Sequence, residues 1–332
     1  MGLTIFRGRK GFMLTLLALI LSSFFILSFS ARINHSPDYK IDVVENRISV
    51  LNYYVDSFFV FASQAAVISG YSALQGIEED MYLNRAYSQN LNRDFGTCAV
   101  SGTLNNGAIK CPGMETSTLT YYLDNMSSLA QKELKISWSY TINNVTLQQV
   151  EDPFLMEVVI NLTLNVSDTF ANISSTRVFV SYIPITGLPD PIYLINGTYN
   201  QTIRKGNITK REGTWEPRDL EQIYNMHEYR YSSLGMSFID RLRGNFTNST
   251  LGIESVVNHT HSAVTPLLGQ NRSIIDYLFW NNTKFNCAAR DVIRVDQDAF
   301  TTGIPTVIPP FIIDDTHRVA FNISGADAIA TC

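Results

Sequence analysis

Residues 12–31 read FMLTLLALILSSFFILSFSA and carry no charged side chain. Coiled at about 1.5 Å per residue, such a run reaches roughly 30 Å, the thickness of a bilayer core. Arg7, Arg9 and Lys10 flank it on the N-terminal side, and the chain beyond it is acidic overall. The positive-inside rule therefore keeps the short tail in the cytoplasm and sends the remainder outward. Just beyond, Ser36-Pro37-Asp38 combines an N-cap residue, a proline at the first helical position and an acid in the first turn. Val44, Ile48, Leu51, Val55, Phe58, Ala62 and Ala66 then recur at spacings of three and four. That single apolar stripe predicts a helix over about 37–85, with a weak point at Gly70. Asp56, Gln64 and several serines favour a core-facing helix over a second membrane span at 53–74.

Composition narrows the function classes. At 332 residues and 45% hydrophobic the chain has room for two domains and enough apolar surface to exclude a disordered polymer. Charged residues are only 17%, Asp+Glu outnumber Lys+Arg by 30 to 25, and no basic stripe stands out, so nucleic acid is not an expected partner.

Three fates are open for the apolar run. A secretory signal would be cut after Ser30, with Ser28 and Ser30 as the small residues before Ala31. The run is longer than the roughly 7–15 residues of a usual signal h-region, which favours retention as an uncleaved anchor or as an assembly helix. The junction Arg9-Lys10-Gly11-Phe12 resembles the processing site of type IV prepilins and of archaeal class III signal peptides. The resemblance covers residues 7 to about 85. It implies a cut at Lys10-Gly11-Phe12 on the cytoplasmic side, after which the apolar helix stays on the protein. Phe12, Leu16, Leu19, Phe24 and Leu27 would then belong to the assembly helix. Leu16 takes mature position five, a glutamate in most bacterial pilins, so the archaeal variant is the better match and the bacterial registration device is missing. GLPDP at 187–191 and SFIDRLRG at 237–244 are also similar to segments of uncharacterised archaeal surface proteins.

These readings divide the chain into a basic leader (1–11), a transmembrane or assembly helix (12–33) and an amphipathic stalk helix (36–85). A β-rich head with a disulfide hairpin (86–186) and a C-terminal head region (187–332), possible second domain, follow. The expected fold class is α+β: a long N-terminal helix carrying an antiparallel β-rich globular head. The resemblance implies a structural filament subunit whose partners are copies of itself or other pilin-like subunits, membrane-inserted before assembly and extracellular afterwards. A single-pass surface glycoprotein or adhesin is the alternative, and a secreted enzyme a lesser one.

Asparagine occurs 26 times, and composition alone predicts about four N-x-S/T sequons. The chain has 15, an excess that points to an exported, glycosylated surface. Asn34 lies too near the membrane edge to be an acceptor. The candidate acceptors are Asn125, Asn144, Asn161, Asn165, Asn172, Asn196, Asn200, Asn207, Asn245, Asn248, Asn258, Asn271, Asn281 and Asn322, and none falls in the long helix. N-linked glycans are accordingly expected, and no other cofactor. Four cysteines permit three pairings. Cys98 and Cys111 flank the turn signal Leu104-Asn105-Asn106-Gly107, so a local clasp across a hairpin is the natural choice, leaving Cys287 for Cys332.

Alternation at Ile136–Ile142, Val158–Val166 and Val178–Tyr182 predicts three strands of an antiparallel meander, with Asn161 and Asn165 on its polar face. Further on, helices are expected from Glu216 to about Tyr231, over 237–242 ending at Gly244, and at 273–280, with a strand at 292–295. His259 and His261 with His227, Asp296 with Asp298, and Asp314 with Asp315 lack metal-site spacing and read as exposed loop histidines and solvated turns, so no metal is expected. There is no G-x-S-x-G, Walker A, H-E-x-x-H or G-x-G-x-x-G segment, and no enzymatic activity is expected.

Overall fold

The computed structural model describes residues 38–169, 171–196, 201–207, 215–267, 271–282, 292–295, 311–323 and 328–329. The processing junction, the assembly helix, Asn200, Cys287, Cys332, Asp296 and Asp298 lie outside the described residues. Helix α1, Asp38–Asn84, is a single 47-residue element, about 70 Å long at the standard rise. Asp56 is the only charged residue between Ile48 and Ile77, which leaves an almost uninterrupted apolar rod. Among the described residues it is the one helix long and apolar enough to cross a membrane, although half of that apolar window is buried in the protein. Leu51, Val55, Phe58, Ala62 and Ala66 are buried as the stripe predicts, but Ile48 is exposed and Val44 only half-buried, because the head covers the helix from about Leu51 onward.

Gly70 does not break the helix. It marks close approach instead: a Cβ there would run into Ile183 Cδ1. One and a half turns on, a Cβ at Gly76 would stand 2.6 Å from Cys111 Sγ and from the Pro112 carbonyl oxygen. Both glycines let α1 lie directly against its neighbours.

Residues 86–186 hold two helices that the strand-seeking reading missed. Helix α2, Leu91–Ser101, buries Leu91, Phe95, Cys98 and Ala99 and stops at Gly102 in the left-handed region. Strands β1 (Thr103–Leu104) and β2 (Ile109–Lys110) form the expected hairpin. Cys98 nonetheless sits on α2 rather than at a strand end, so the Cys98–Cys111 disulfide clasps helix to hairpin. Helix α3, Leu119–Leu134, starts where the Thr118 side chain accepts a hydrogen bond from Tyr121 N at 3.1 Å.

Strands β3 (Ser137–Gln148), β4 (Leu155–Ser167) and β5 (Asn172–Pro184) form an antiparallel sheet in that order. Val158, Ile160, Leu162, Leu164 and Val166 of central β4 are all buried on the face that meets α1. A bulge between Ile142 and Asn144 inverts the parity of β3, so Val145 and Leu147 face inward in its second half. Helix α1 runs parallel to β5: Asp56 meets Arg177, Ser63 meets Ser181 and Gly70 meets Ile183. Fourteen helical residues rise about 21 Å and six strand residues about 20 Å, so the two elements stay in step.

A second buried cluster, around Tyr193, Leu220, Ile223, Val257, Ile274 and Phe321, fills the C-terminal part. The elements of this part are α4 (Pro191–Asn196), α5 (Pro217–Met226), β6 (Arg230–Met236), α6 (Phe238–Arg243), β7 (Ile253–Glu254), α7 (Asp276–Trp280), β8 (Val292–Val295), β9 (Phe311–Asp314), α8 (Asp315–Ala320) and β10 (Ala328–Ile329), of which Phe238 and Leu242 of α6 and Ile253 of β7 join the core of the N-terminal part instead. Helix α5 ends at Met226 rather than Tyr231, because His227 turns left-handed and the chain then pairs as β6 with β7. Helix α6 is as expected, capped by Ser237 and closed by Gly244. Helix α7 is shorter than expected because Ile275 is drawn into a bridge with Val256.

Candidate functional site on the long helix and the outer sheet face

The face of α1 turned away from the head carries Val50, Tyr53, Val60 and Ile68, spaced by three, seven and eight residues on one side of the rod. Their exposures are 46%, 76%, 61% and 52%. Single exposed apolar residues are ordinary, but an aligned row with Ser57 and Gln64 between its members is a continuous ridge. Two ion pairs seat the rod on the head from the side: Arg177 Nη2 lies 2.6 Å from Asp56 Oδ1, and Arg47 pairs with Asp168 while donating to the Leu134 carbonyl at 2.7 Å. The Arg47 hydrogen bond holds the Asp168 carboxyl below its ordinary pKa.

Thirteen of the fourteen candidate glycan acceptors are described, and none is buried: ten are exposed, while Asn161, Asn165 and Asn258 are half-buried. Asn144, Asn161, Asn165 and Asn172 all project from the sheet face opposite α1. Elsewhere the amide is already engaged at two sites: Asn196 Nδ2 donates to Tyr87 Oη at 2.7 Å and Asn245 Nδ2 to Asp240 Oδ1 at 3.0 Å.

The interior also holds a buried polar cluster that no motif in the sequence announces. Arg241 on α6 is fully buried, with Nη1 2.5 Å from Asp190 Oδ2 and 2.8 Å from Asp276 Oδ2, and Nη2 donating to the Ile253 carbonyl at 2.6 Å. Tyr229 Oη donates to the same Asp190 oxygen at 2.7 Å. Glu78 of α1 is buried nearby with neither carboxyl oxygen hydrogen-bonded among the described residues, and burial, reinforced by the Asp190 charge, raises its pKa well above the ordinary carboxylate value. Burial likewise raises Asp190, and pushes Asp276 up to about 6. Burial opposes the Arg241 charge, but Asp190 and Asp276 hold that pKa above its ordinary value. A second network joins His317 Nδ1 to Asp314 Oδ2 at 2.6 Å and His317 Nε2 to Glu254 Oε2 at 3.2 Å. Arg230 Nη2 holds the other Glu254 oxygen at 3.0 Å, and the guanidinium lies over the neighbouring rings of Trp215 and Phe321. Burial works against both charges, yet Glu254 raises His317 to about 10 and His317 lowers Glu254 to about 2.

Two expectations are corrected by these surroundings. Asp314 is not in a solvated turn: it ends β9, caps α8 through His317 N at 3.2 Å and accepts from Ser273 Oγ at 2.9 Å. His259 is not exposed either, being 93% buried, and desolvation lowers its pKa to about 4. His261 Nδ1 accepts from Ala263 N at 3.2 Å, and His227 caps α5. Among the described residues no group of three or more His, Cys, Asp or Glu side chains is arranged to hold a metal ion. No family model matches this chain, and neither a curated protein nor a solved structure matches it.

Proposed function

We propose that this chain is the structural subunit of an extracellular type IV pilin-like filament, assembling through its N-terminal apolar helix. The observation that supports the reading most directly is the ridge of α1. A helix with one charge in thirty residues buries one side in its own head and leaves Val50, Tyr53, Val60 and Ile68 uncovered on the other. Copies of the same rod, bundled ridge to ridge, would remove that surface from water. The apolar run before it adds thirteen large apolar side chains between Phe12 and Phe29. Each is worth roughly 1.5–3 kcal/mol when kept from water, so tens of kcal/mol would oppose dissociation of an assembled bundle. Lipid solvates the same side chains equally well, so the membrane is the natural store before assembly.

Sequencing the N-terminus of the mature protein and imaging the cell surface test this reading together. The expected outcome is a chain beginning at Phe12, with filaments that are lost when Leu19 is replaced by aspartate while the head stays folded. A chain beginning at Ala31, or filaments that persist in Leu19→Asp, would refute it. A chain beginning at Met1 without filaments would support the anchored glycoprotein instead.

A further inference from the structure

We infer that the outer face of the β3–β5 sheet is a glycan-bearing surface on which Asn144 and Asn161 compete for a single sugar chain. The inference rests on export of the head, not on filament assembly. Strand parity places Asn144, Asn161, Asn165 and Asn172 on the face opposite α1, together with their sequon hydroxyls Thr146, Thr163, Ser167 and Ser174. Among the described residues, the atom that would carry sugar, Nδ2, finds no hydrogen-bond partner at any of the four, unlike Nδ2 of Asn196 and Asn245. The oxygens are the engaged atoms at the two central sites: Asn161 Oδ1 accepts from Asn143 Nδ2 at 3.1 Å, and Asn165 Oδ1 accepts from Ser174 Oγ at 2.7 Å. Each amide is thus held by its oxygen with its nitrogen open.

The same face explains an otherwise uncovered apolar strip. Val178 and Val180 of β5 are 63% and 41% exposed, and Val178 is the direct cross-strand partner of Asn161. A sugar ring on Asn161 would lie over them. The chemistry requires a lipid-phosphate-linked oligosaccharide as donor. A bond forms between Nδ2 and C1 of the sugar as the bond from C1 to the phosphate oxygen breaks. The amide loses one proton, and the lipid phosphate leaves with the electron pair.

Asn144 and Asn161 are directly paired in the ladder, so their Cβ atoms stand only about 4.5–5.5 Å apart. A branched sugar on one occupies the approach to the other. Asn165, opposite Ser139 and Ser174, and Asn172, opposite Ser167, have no such competitor.

Intact-glycopeptide mass spectrometry on the native protein, recovered from the surface of its own cells, tests the proposal. Added sugar mass is expected on Asn165 and Asn172 and on either Asn144 or Asn161 of each molecule. Thr146→Ala, which destroys the first of the competing sequons without altering its asparagine, should abolish mass at Asn144 and raise occupancy at Asn161. Bare asparagines at all four positions of the exported protein, or Asn144 and Asn161 loaded on one molecule, would overturn it. Sugars on this face of a chain starting at Ala31 would sink the filament reading and leave this one standing; filaments with bare asparagines would do the reverse.

Discussion

Arg241 Nη1 meets Asp190 Oδ2 at 2.5 Å, and neither side chain touches solvent. The two residues belong to SFIDRLRG and GLPDP, fifty-one positions apart in the chain, and Asp276 completes the contact from α7. One guanidinium thereby faces two buried aspartates, with Glu78 of α1 close enough for Asp190 to raise its pKa. Replacing Arg241 by methionine would strand the acids in an apolar interior, which should lower stability by about 3–5 kcal/mol, as breaking one partner of a buried pair does elsewhere. Urea unfolding of Arg241→Met reads this directly. A loss under about 1 kcal/mol would mean that the acids are neutral together and the arginine is not their counterion.

His317 sets the response to alkali. Its folded pKa of about 10 exceeds the ordinary 6.5 because Glu254 and Asp314 bind its charged form against the penalty of burial. A base with a raised folded pKa lends stability that is complete below the unfolded pKa and is lost as pH rises through the folded one. Stability should therefore decline between about pH 6.5 and 10, and His317→Gln should be less stable at neutral pH and flatter across that window. Thermal unfolding at a series of pH values checks this. Parallel curves for the two proteins would show that the histidine does not titrate in that window.

How far these features could be read in the residues depends on the physics behind each. Leu51, Val55, Phe58, Ala62 and Ala66 announce α1 because an apolar stripe is a local, periodic signal, and the alternation in β4 announces the sheet for the same reason. Helices α2 and α3 were missed because Leu91, Phe95 and Cys98 or Leu119 and Leu123 are few apolar residues in a polar setting, where packing on α1 rather than pattern makes the helix. The bulge at Asn143 leaves no mark in composition. Asp190, Arg241, Glu254 and His317 look like surface charges in the sequence, and only tertiary pairing buries them. The ridge of α1 was legible only as residues outside the stripe, since exposure depends on which side the head covers. Sequon positions were visible by motif; that four of them share one sheet face follows from strand register.

Gly76 and Gly96 should answer differently to alanine. At Gly76 the new methyl would sit 2.6 Å from Cys111 Sγ and from the Pro112 carbonyl, both fixed by the disulfide. At Gly96 on α2 it would meet only the Val145 carbonyl oxygen at 3.5 Å and Val145 Cβ at 3.9 Å, ordinary contact distances. Gly76→Ala is expected to lose about 1–3 kcal/mol through overpacking. Gly96→Ala is expected to gain about 0.5–1 kcal/mol through reduced entropy of the unfolded chain. Chemical denaturation of both variants decides the matter, and equal effects would show that α1 is free to move away from the clasp.

Val60 can separate folding of the head from the proposed assembly. It is 61% exposed at the middle of the ridge, so Val60→Asp should leave head stability within about 0.5 kcal/mol of the parent. In a bundle of rods the same carboxylate would be buried without a partner, a penalty of several kcal/mol repeated at every subunit. Filaments should therefore vanish while the melting curve of the monomeric head stays in place. Ala62, two residues on, faces the head and has no exposure, so Ala62→Asp should instead lower head stability. Filament imaging beside thermal melts of the two variants distinguishes the roles. Persisting filaments in Val60→Asp would show that the ridge is not where copies meet.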